Sequence, residues 1–180
     1  MSALTQLIDL LKLEKIDDLL FRGKSQDLGF RQVFGGQVVA QALSAVIQVA
    51  PEDRILHSCH AYFLSPGDSQ YPIIYDVEIL REGRNFTAMR VKAIQHKSPI
   101  CHITASFQTQ EHGFEHQSDM PQVEGPDELM SESSVIQQMA QMIPEAVRDK
   151  FTADRPFDIR TKYLKDRKST RLNSSHALAS

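Results

Sequence analysis

The stretch FGGQVVAQALSAVIQVA, Phe34–Ala50, sets two adjacent glycines before a helix-like run that carries no charged side chain. Its polar residues are Gln37, Gln41, Ser44 and Gln48, spaced four, three and four apart, so on a helix they form one narrow stripe. Val38, Val39, Ala42, Leu43, Ala45, Val46 and Val49 cover the remaining circumference. A helix of that kind must be buried on most sides, and in a domain of this size the available wrapper is a curved sheet.

The residues that follow supply such a sheet. ILHSCHAYFL, Ile55–Leu64, lies between Pro51 and the turn SPGD and reads as a strand. IIYDVEILR and NFTAMRVKAIQ flank the turn EGRN and give a hairpin from Ile73 to Gln95, with Met89, Val91 and Ala93 alternating against Arg90 and Lys92. A turn at HKSP leads into ICHITASFQT, where Cys101, Ile103, Ala105 and Phe107 share one face. The expected class is α+β, an antiparallel sheet wrapped around a central apolar helix.

The opening MSALTQLIDLLKLEKIDDLLFRG reads as an amphipathic helix with a stripe of Leu4, Leu7, Ile8 and Leu11, and charges at Asp9, Lys12 and Glu14 exclude a signal peptide. No run reaches the ~20 apolar residues that span a bilayer, so no membrane partner is expected. The chain has 180 residues, 41% hydrophobic and 24% charged, with net charge −3, which gives no footprint for nucleic acid. Cys59 and Cys101 make no metal-ligand spacing and read as reduced, buried thiols of a cytoplasmic protein. After Gln110 the periodicity fades into a linker with short helices near Ser134–Ile143 and at PEAVRDKF, and RPFDIRTKY, Arg155–Tyr163, reads as the start of a further strand.

Candidate chemistry is sparse. Gly35-Gly36 admits two readings: a tight turn that lets the helix enter beneath the sheet, or a helix N-terminus whose free N–H groups at Gly36 and Gln37 receive a phosphate or a developing oxyanion. His57 and His60, three apart on a strand, are expected on opposite faces, which argues against a shared metal. His57 is either a general base or substrate contact, or a structural histidine. Arg81, Arg84 and Arg90 surround the hairpin turn, and either meet phosphates or pair with cross-strand glutamates.

The motifs LFRGKSQDLGFRQVFGGQVVAQAL, HSCHAYFLSPGD, PIIYDVEILREGRNFTAMRVKAIQ and ITASFQ, followed by GFEHQ and MP, closely resemble the N-terminal half of the acyl-CoA thioesterase II family, from Leu4 to Tyr163 in register. The resemblance implies the hotdog fold and hydrolysis of fatty acyl-CoA to free fatty acid and CoA, with no metal or organic cofactor. It implies two hotdog repeats per full-length chain, with an Asp, a Thr or Ser, and a Gln of the second repeat activating water. No residue of this chain matches them, so no catalytic residue is assigned. Gly35, Gly36, Gln37 and His57 are the expected substrate-binding residues lining the acyl-CoA site. Asn85 stands where relatives commonly carry Ser.

The expected layout is a hotdog domain over residues 1–110, a linker over 111–154, the start of a second hotdog at 155–165, and a tail at 166–180. The tail contains DRKSTRLNSSHALAS, which resembles translated adapter sequence. A single hotdog leaves a sheet edge and a helix side uncovered, so a homo-oligomer is expected. The competing reading is a non-catalytic acyl-CoA-binding or oligomerisation module.

Overall fold

The computed structural model describes residues 2–28 and 31–160. Its elements are α1 (Ala3–Leu10), β1 (Glu14–Asp17), β2 (Leu20–Gly23), α2 (Gly35–Val49), β3 (Arg54–Phe63), β4 (Ile73–Glu82), β5 (Phe86–Gln95), β6 (Ser98–Thr109), α3 (Glu132–Gln138) and α4 (Glu145–Thr152). The six strands form one sheet in the order β1-β2-β4-β5-β6-β3, antiparallel throughout. The chain divides into two compact units after His116.

In the first unit α2 packs against β3, β4, β5 and β6, as the uncharged run requires. Val38, Ala42, Ala45 and Val46 meet Tyr75, Val77, Met89, Val91, Ile103 and Phe107 in one core. The alternation in β5 and β6 is realised: Met89, Val91, Ala93, Cys101, Ile103, Ala105 and Phe107 are all buried. The β5–β6 connection is a two-residue turn with His96 at φ 49° and Lys97 at φ 66°, the left-handed pair that matches strand twist. Neither is glycine, so the hairpin holds a local cost of about 1 kcal/mol per residue that sheet pairing offsets.

Three expectations about the elements need correction, as does the expected burial of Cys59, which is exposed on the edge strand β3 while Cys101 is buried. The N-terminal helix stops at Leu10, and residues 14–23 form a hairpin whose second strand adds to β4, with Phe21 opposite Tyr75. Helical periodicity is there, but burial of Phe21 and the open backbone of β4 outweigh the small helix propensity. In α1 itself Leu4 and Ile8 remain 54% and 50% exposed, so the expected stripe is only half used.

His57 and His60 share one face. A bulge between Leu56 and Ser58 inserts one residue into β3, which shifts the alternation so that both histidines stand on the face of Ser106 and Thr104, away from α2.

The third correction concerns α2. The first part of its polar stripe is buried beside the core-facing Val38, Ala42, Ala45 and Val46: Gln37 and Gln41 are enclosed, while Val39, Ala40 and Leu43 are half-buried and Ile47 is 56% exposed. Gln41 Nε2 donates to the carbonyls of Leu10 (2.7 Å) and Lys24 (2.9 Å), and its Oε1 accepts from the Tyr75 hydroxyl (2.7 Å). Ser44 Oγ donates to the Leu11 carbonyl at 2.9 Å. The stripe therefore ties α1 and the segment after β2 to the helix, satisfying carbonyls that would otherwise be stranded.

The second unit carries α3 and α4, with Arg148 donating to the carbonyls of Ala140 (2.9 Å) and Ile143 (3.1 Å). No described side chain of residues 117–160 is buried. Where a strand is expected from Arg155, the described residues make one isolated bridge, Arg160 with Ser131. Residues 161–165 and the tail at 166–180 lie outside the described residues.

Candidate functional site

The first turn of α2 has no side-chain cap and no acidic residue. Phe34 occupies the N-cap position, and its carbonyl accepts from the N–H groups of Gln37 (3.0 Å) and Val38 (3.4 Å). Among the described residues the N–H groups of Gly35 and Gly36 have no acceptor, so the helix presents two free donors at its positive end.

The glycine pair has a definite steric role. A Cβ on Gly36 would lie 2.5 Å from the Phe34 ring, and one on Gly35 would lie 3.1 Å from the Phe63 ring. Two phenyl groups thus occupy the space that side chains would take. Both are largely exposed, Phe34 at 62% and Phe63 at 58%, and they bracket the free donors.

Beside Gly35 opens a cavity of about 410 Å³. Its walls are Gly35 and Val38 of α2, Phe63 at the end of β3, the loop Leu64–Gly67, Ile100 and Cys101 of β6, and Gln32 and Val33 from the approach to the helix. The loop is fixed by backbone and by one buried amide. Val33 N–H donates to the Gly67 carbonyl (2.8 Å) and Leu64 N–H to the Ile100 carbonyl (2.9 Å). Gln95 donates to the carbonyls of Asp68 (2.9 Å) and Tyr71 (2.8 Å) and accepts from Asp68 N–H (2.8 Å). Asp68 Oδ1 accepts from Gln70 N–H at 2.9 Å, the turn-forming role its Pro-Gly-Asp context suggests.

The four expected site residues are distributed unevenly. Gly35 lines the cavity and Gly36 adjoins it through the helix start. The Gln37 side chain turns inward, donating to the Lys24 carbonyl (3.0 Å) and accepting from Gln26 N–H (3.3 Å). His57 stands on the other face of the sheet, its Nε2 at 2.8 Å from Ser106 Oγ and its ring edge-on to Phe86. The structure does not bring His57 to the helix terminus. Phe34, Phe63 and Gln95 are the site-building residues that spacing alone misses. Adjacent glycines before a helix flanked by aromatics are the one available signal.

The titratable chemistry near the cavity is weak. Burial pushes the Cys101 thiol up, which keeps it protonated and a poor nucleophile. Burial, and secondarily Cys101, raises the Tyr75 hydroxyl well above the ordinary tyrosine range. The arginines around the β4–β5 turn serve the sheet in part. Arg90 Nε donates to Glu78 at 3.0 Å, while the buried Arg54 guanidinium donates to the carbonyls of Gly83 (3.0 Å) and Arg84 (2.8 Å). The cavity can receive an apolar group and a carbonyl oxygen. Among its described residues it holds no carboxylate or imidazole to activate water.

Residues 24–108 match the family profile described as the acyl-CoA thioesterase N-terminal domain. The chain is 73% identical over 161 residues to Acyl-CoA thioesterase 2 of Haemophilus influenzae, covering 89% of this chain and 56% of that protein. Among solved structures, an acyl-CoA thioesterase II of Mycobacterium marinum aligns with TM-score 0.64 and 34% identity, over 74% of this chain and 48% of that one. A protein of unknown function with a hotdog fold from Alicyclobacillus acidocaldarius aligns with TM-score 0.60 at 20% identity, over 70% of this chain and 48% of that one, which speaks to the fold alone. The chain spans about half the length of these relatives. Residues 24–108, with the helix-on-sheet arrangement they build, form a hotdog domain similar to the N-terminal domain of acyl-CoA thioesterases.

Proposed function

We propose that this chain is the pocket-forming half of a hydrolase that converts fatty acyl-CoA and water to free fatty acid and CoA. Its water-activating residues lie in a second hotdog repeat. The observation that carries this reading is the uncapped start of α2 opening on a cavity walled by apolar and polar groups alike, within the segment that matches the family. A thioester carbonyl placed there accepts from Gly35 and Gly36 N–H, and those donors favour the oxyanion that forms when water adds. Gly35 and Gly36 are the substrate-contacting residues in this reading. Gln37 holds the helix start in place, and His57 serves the outer sheet face.

The partner surface follows from the same geometry. β3 is an edge strand, and beside it α2 shows Val39, Leu43 and Ile47. A second hotdog, from the same full-length chain or from another copy, covers both and gives the homo-oligomer expected for this 180-residue chain. No described helix is long and apolar enough to cross a membrane. The cytoplasmic setting of this reading rests on the two free thiols, Cys59 and Cys101.

The test joins this chain to the remaining residues of the Haemophilus influenzae relative and follows thiol release from acyl-CoA. The fusion is expected to turn over and the 180-residue chain alone is not. A folded but inactive fusion would overturn the hydrolase reading, and turnover by the chain alone would overturn the division of labour. If the alternative, a non-catalytic binding module, holds, the fusion binds acyl-CoA without releasing thiol.

A further inference from the structure

We propose that Phe63 is a specificity-determining residue of this pocket, setting the length of acyl chain the cavity beside α2 accepts; this rests on the acyl-CoA reading above. The ring is 58% exposed and lies outside the main core cluster, so the fold gains little from it. It nonetheless has a prepared place. Gly35 leaves open the volume the ring occupies, at 3.1 Å from where a Cβ would stand, and Phe63 is at once a wall of the cavity.

The surrounding walls are held and this one is not. Gly67 is fixed through Val33 and through the Gln95 amide on Asp68, with a Cβ at Gly67 reaching to within 3.0 Å of Ile100. Val38 and Ile100 are buried in the core. Phe63 and its neighbour Leu64 are the large apolar walls exposed on the solvent side, and of the two it is the Phe63 ring that rests against Gly35 at the helix start. An acyl chain growing into the cavity therefore meets a fixed floor and a movable ring. Removing the ring lengthens the accessible apolar surface, and fixing it by a bulkier neighbour shortens it.

The chain contains no tryptophan, so Phe63→Trp places a single indole reporter at the cavity mouth. The experiment titrates this variant, by fluorescence, and the unaltered chain, Phe63→Ala and Gly35→Ala, by calorimetry, with butyryl-, octanoyl- and dodecanoyl-CoA. The matching acyl-N-acetylcysteamine thioesters, which lack the nucleotide, form a second series. Circular dichroism and thermal melts establish that each variant is folded, which the exposure of Phe63 favours.

Phe63→Ala is expected to move the dodecanoyl-to-butyryl affinity ratio toward the longer chain by about tenfold, the scale of one methylene in an apolar pocket. Gly35→Ala is expected to move it the other way, and the indole emission to shift blue with acyl-CoA. An unchanged ratio in folded Phe63→Ala, with acyl-CoA still bound, overturns the role of Phe63 and leaves the acyl-CoA reading standing. Phe63-dependent binding of the cysteamine thioesters with no gain from CoA supports the acyl pocket and removes CoA as its ligand. Binding of neither series overturns both.

Discussion

On either side of its core-facing residues Val38, Ala42, Ala45 and Val46, α2 carries a buried polar stripe and an uncovered apolar one. Gln37, Gln41 and Ser44 face inward and end on the backbone of Leu10, Leu11, Lys24 and Gln26, while Val39, Leu43 and Ile47 lie on the side that solvent reaches. The polar stripe is complete within this chain. The apolar stripe is not, because burial of its residues lacks a second surface. The difference separates what this domain supplies for itself from what the proposed second hotdog would add.

The completed stripe is the place where substitution acts most strongly. Gln41→Ala removes the acceptor of the Tyr75 hydroxyl and the donor to two carbonyls, leaving the Tyr75 hydroxyl and the Leu10 carbonyl without a partner while Gln37 still serves the Lys24 carbonyl. Each buried group so stranded costs about 1–3 kcal/mol, so chemical denaturation should show a loss of about 2 kcal/mol or more. A loss below about 1 kcal/mol would mean that water replaces Gln41 and that the stripe is not a closed network.

Gly23→Ala sharpens the same point from outside the helix. A Cβ at Gly23 would come within 2.7 Å of Gln41 Oε1, and that amide is buried and held by three bonds. At Gly36 the corresponding approach is 2.5 Å, but to the exposed Phe34 ring, which can swing away. Crowding is similar and the outcome should differ: about 2 kcal/mol of destabilisation at Gly23, within the range for overpacking, and no more than about 0.5 kcal/mol at Gly36. Equal effects at both sites would break the argument that pinning of the neighbour, rather than distance, decides the cost.

The Tyr75 hydroxyl adds a pH dependence to the inner stripe. Burial raises the pH at which it ionises, and the neutral hydroxyl is the form that donates to Gln41. The folded chain thus keeps a proton that the unfolded chain releases above pH ~10, so this contribution is present below that pH and is lost as pH rises beyond it. Melting temperature should fall with alkali more steeply in the unaltered chain than in Tyr75→Phe. The substitution itself should cost about 1 kcal/mol at neutral pH by stranding Gln41 Oε1. Parallel curves would show that Tyr75 is not the group responsible.

Much of this layout is legible in the residues, and the gaps have physical causes. The uncharged run from Gly35 fixes a covered helix, and the alternation through Met89, Val91 and Ala93 and through Cys101, Ile103 and Phe107 fixes two strands with their inward faces. Residues 14–23 are misread because a helical spacing of leucines is also compatible with a hairpin once β4 offers an edge. Composition gives no hint of that edge. The phase of His57 is lost to a bulge, which one residue of register decides and no side-chain pattern announces. The glycine pair points to the helix start, but the rings that fill its space come from Phe34, next to it, and from Phe63, distant in sequence.

The smallest expected change in stability lies on the outer stripe, and it carries the most information about a partner. Ile47 is 56% exposed, so Ile47→Lys exchanges little buried surface within the domain and should shift its stability by no more than about 0.5 kcal/mol. Its effect on association should be large, because a lysine at the centre of an apolar contact must be desolvated or left unpaired. Light scattering over a concentration series is expected to show the unaltered chain associating and Ile47→Lys remaining monomeric, with superimposable circular dichroism spectra. A matching substitution at Ile16, 47% exposed on the opposite edge strand β1, should leave association unchanged. If Ile47→Lys instead lowers stability by more than about 1 kcal/mol at concentrations where the chain is monomeric, the outer stripe is already covered within the domain. The contrast between the two stripes would then reduce to one of polarity, with no vacancy for a second hotdog.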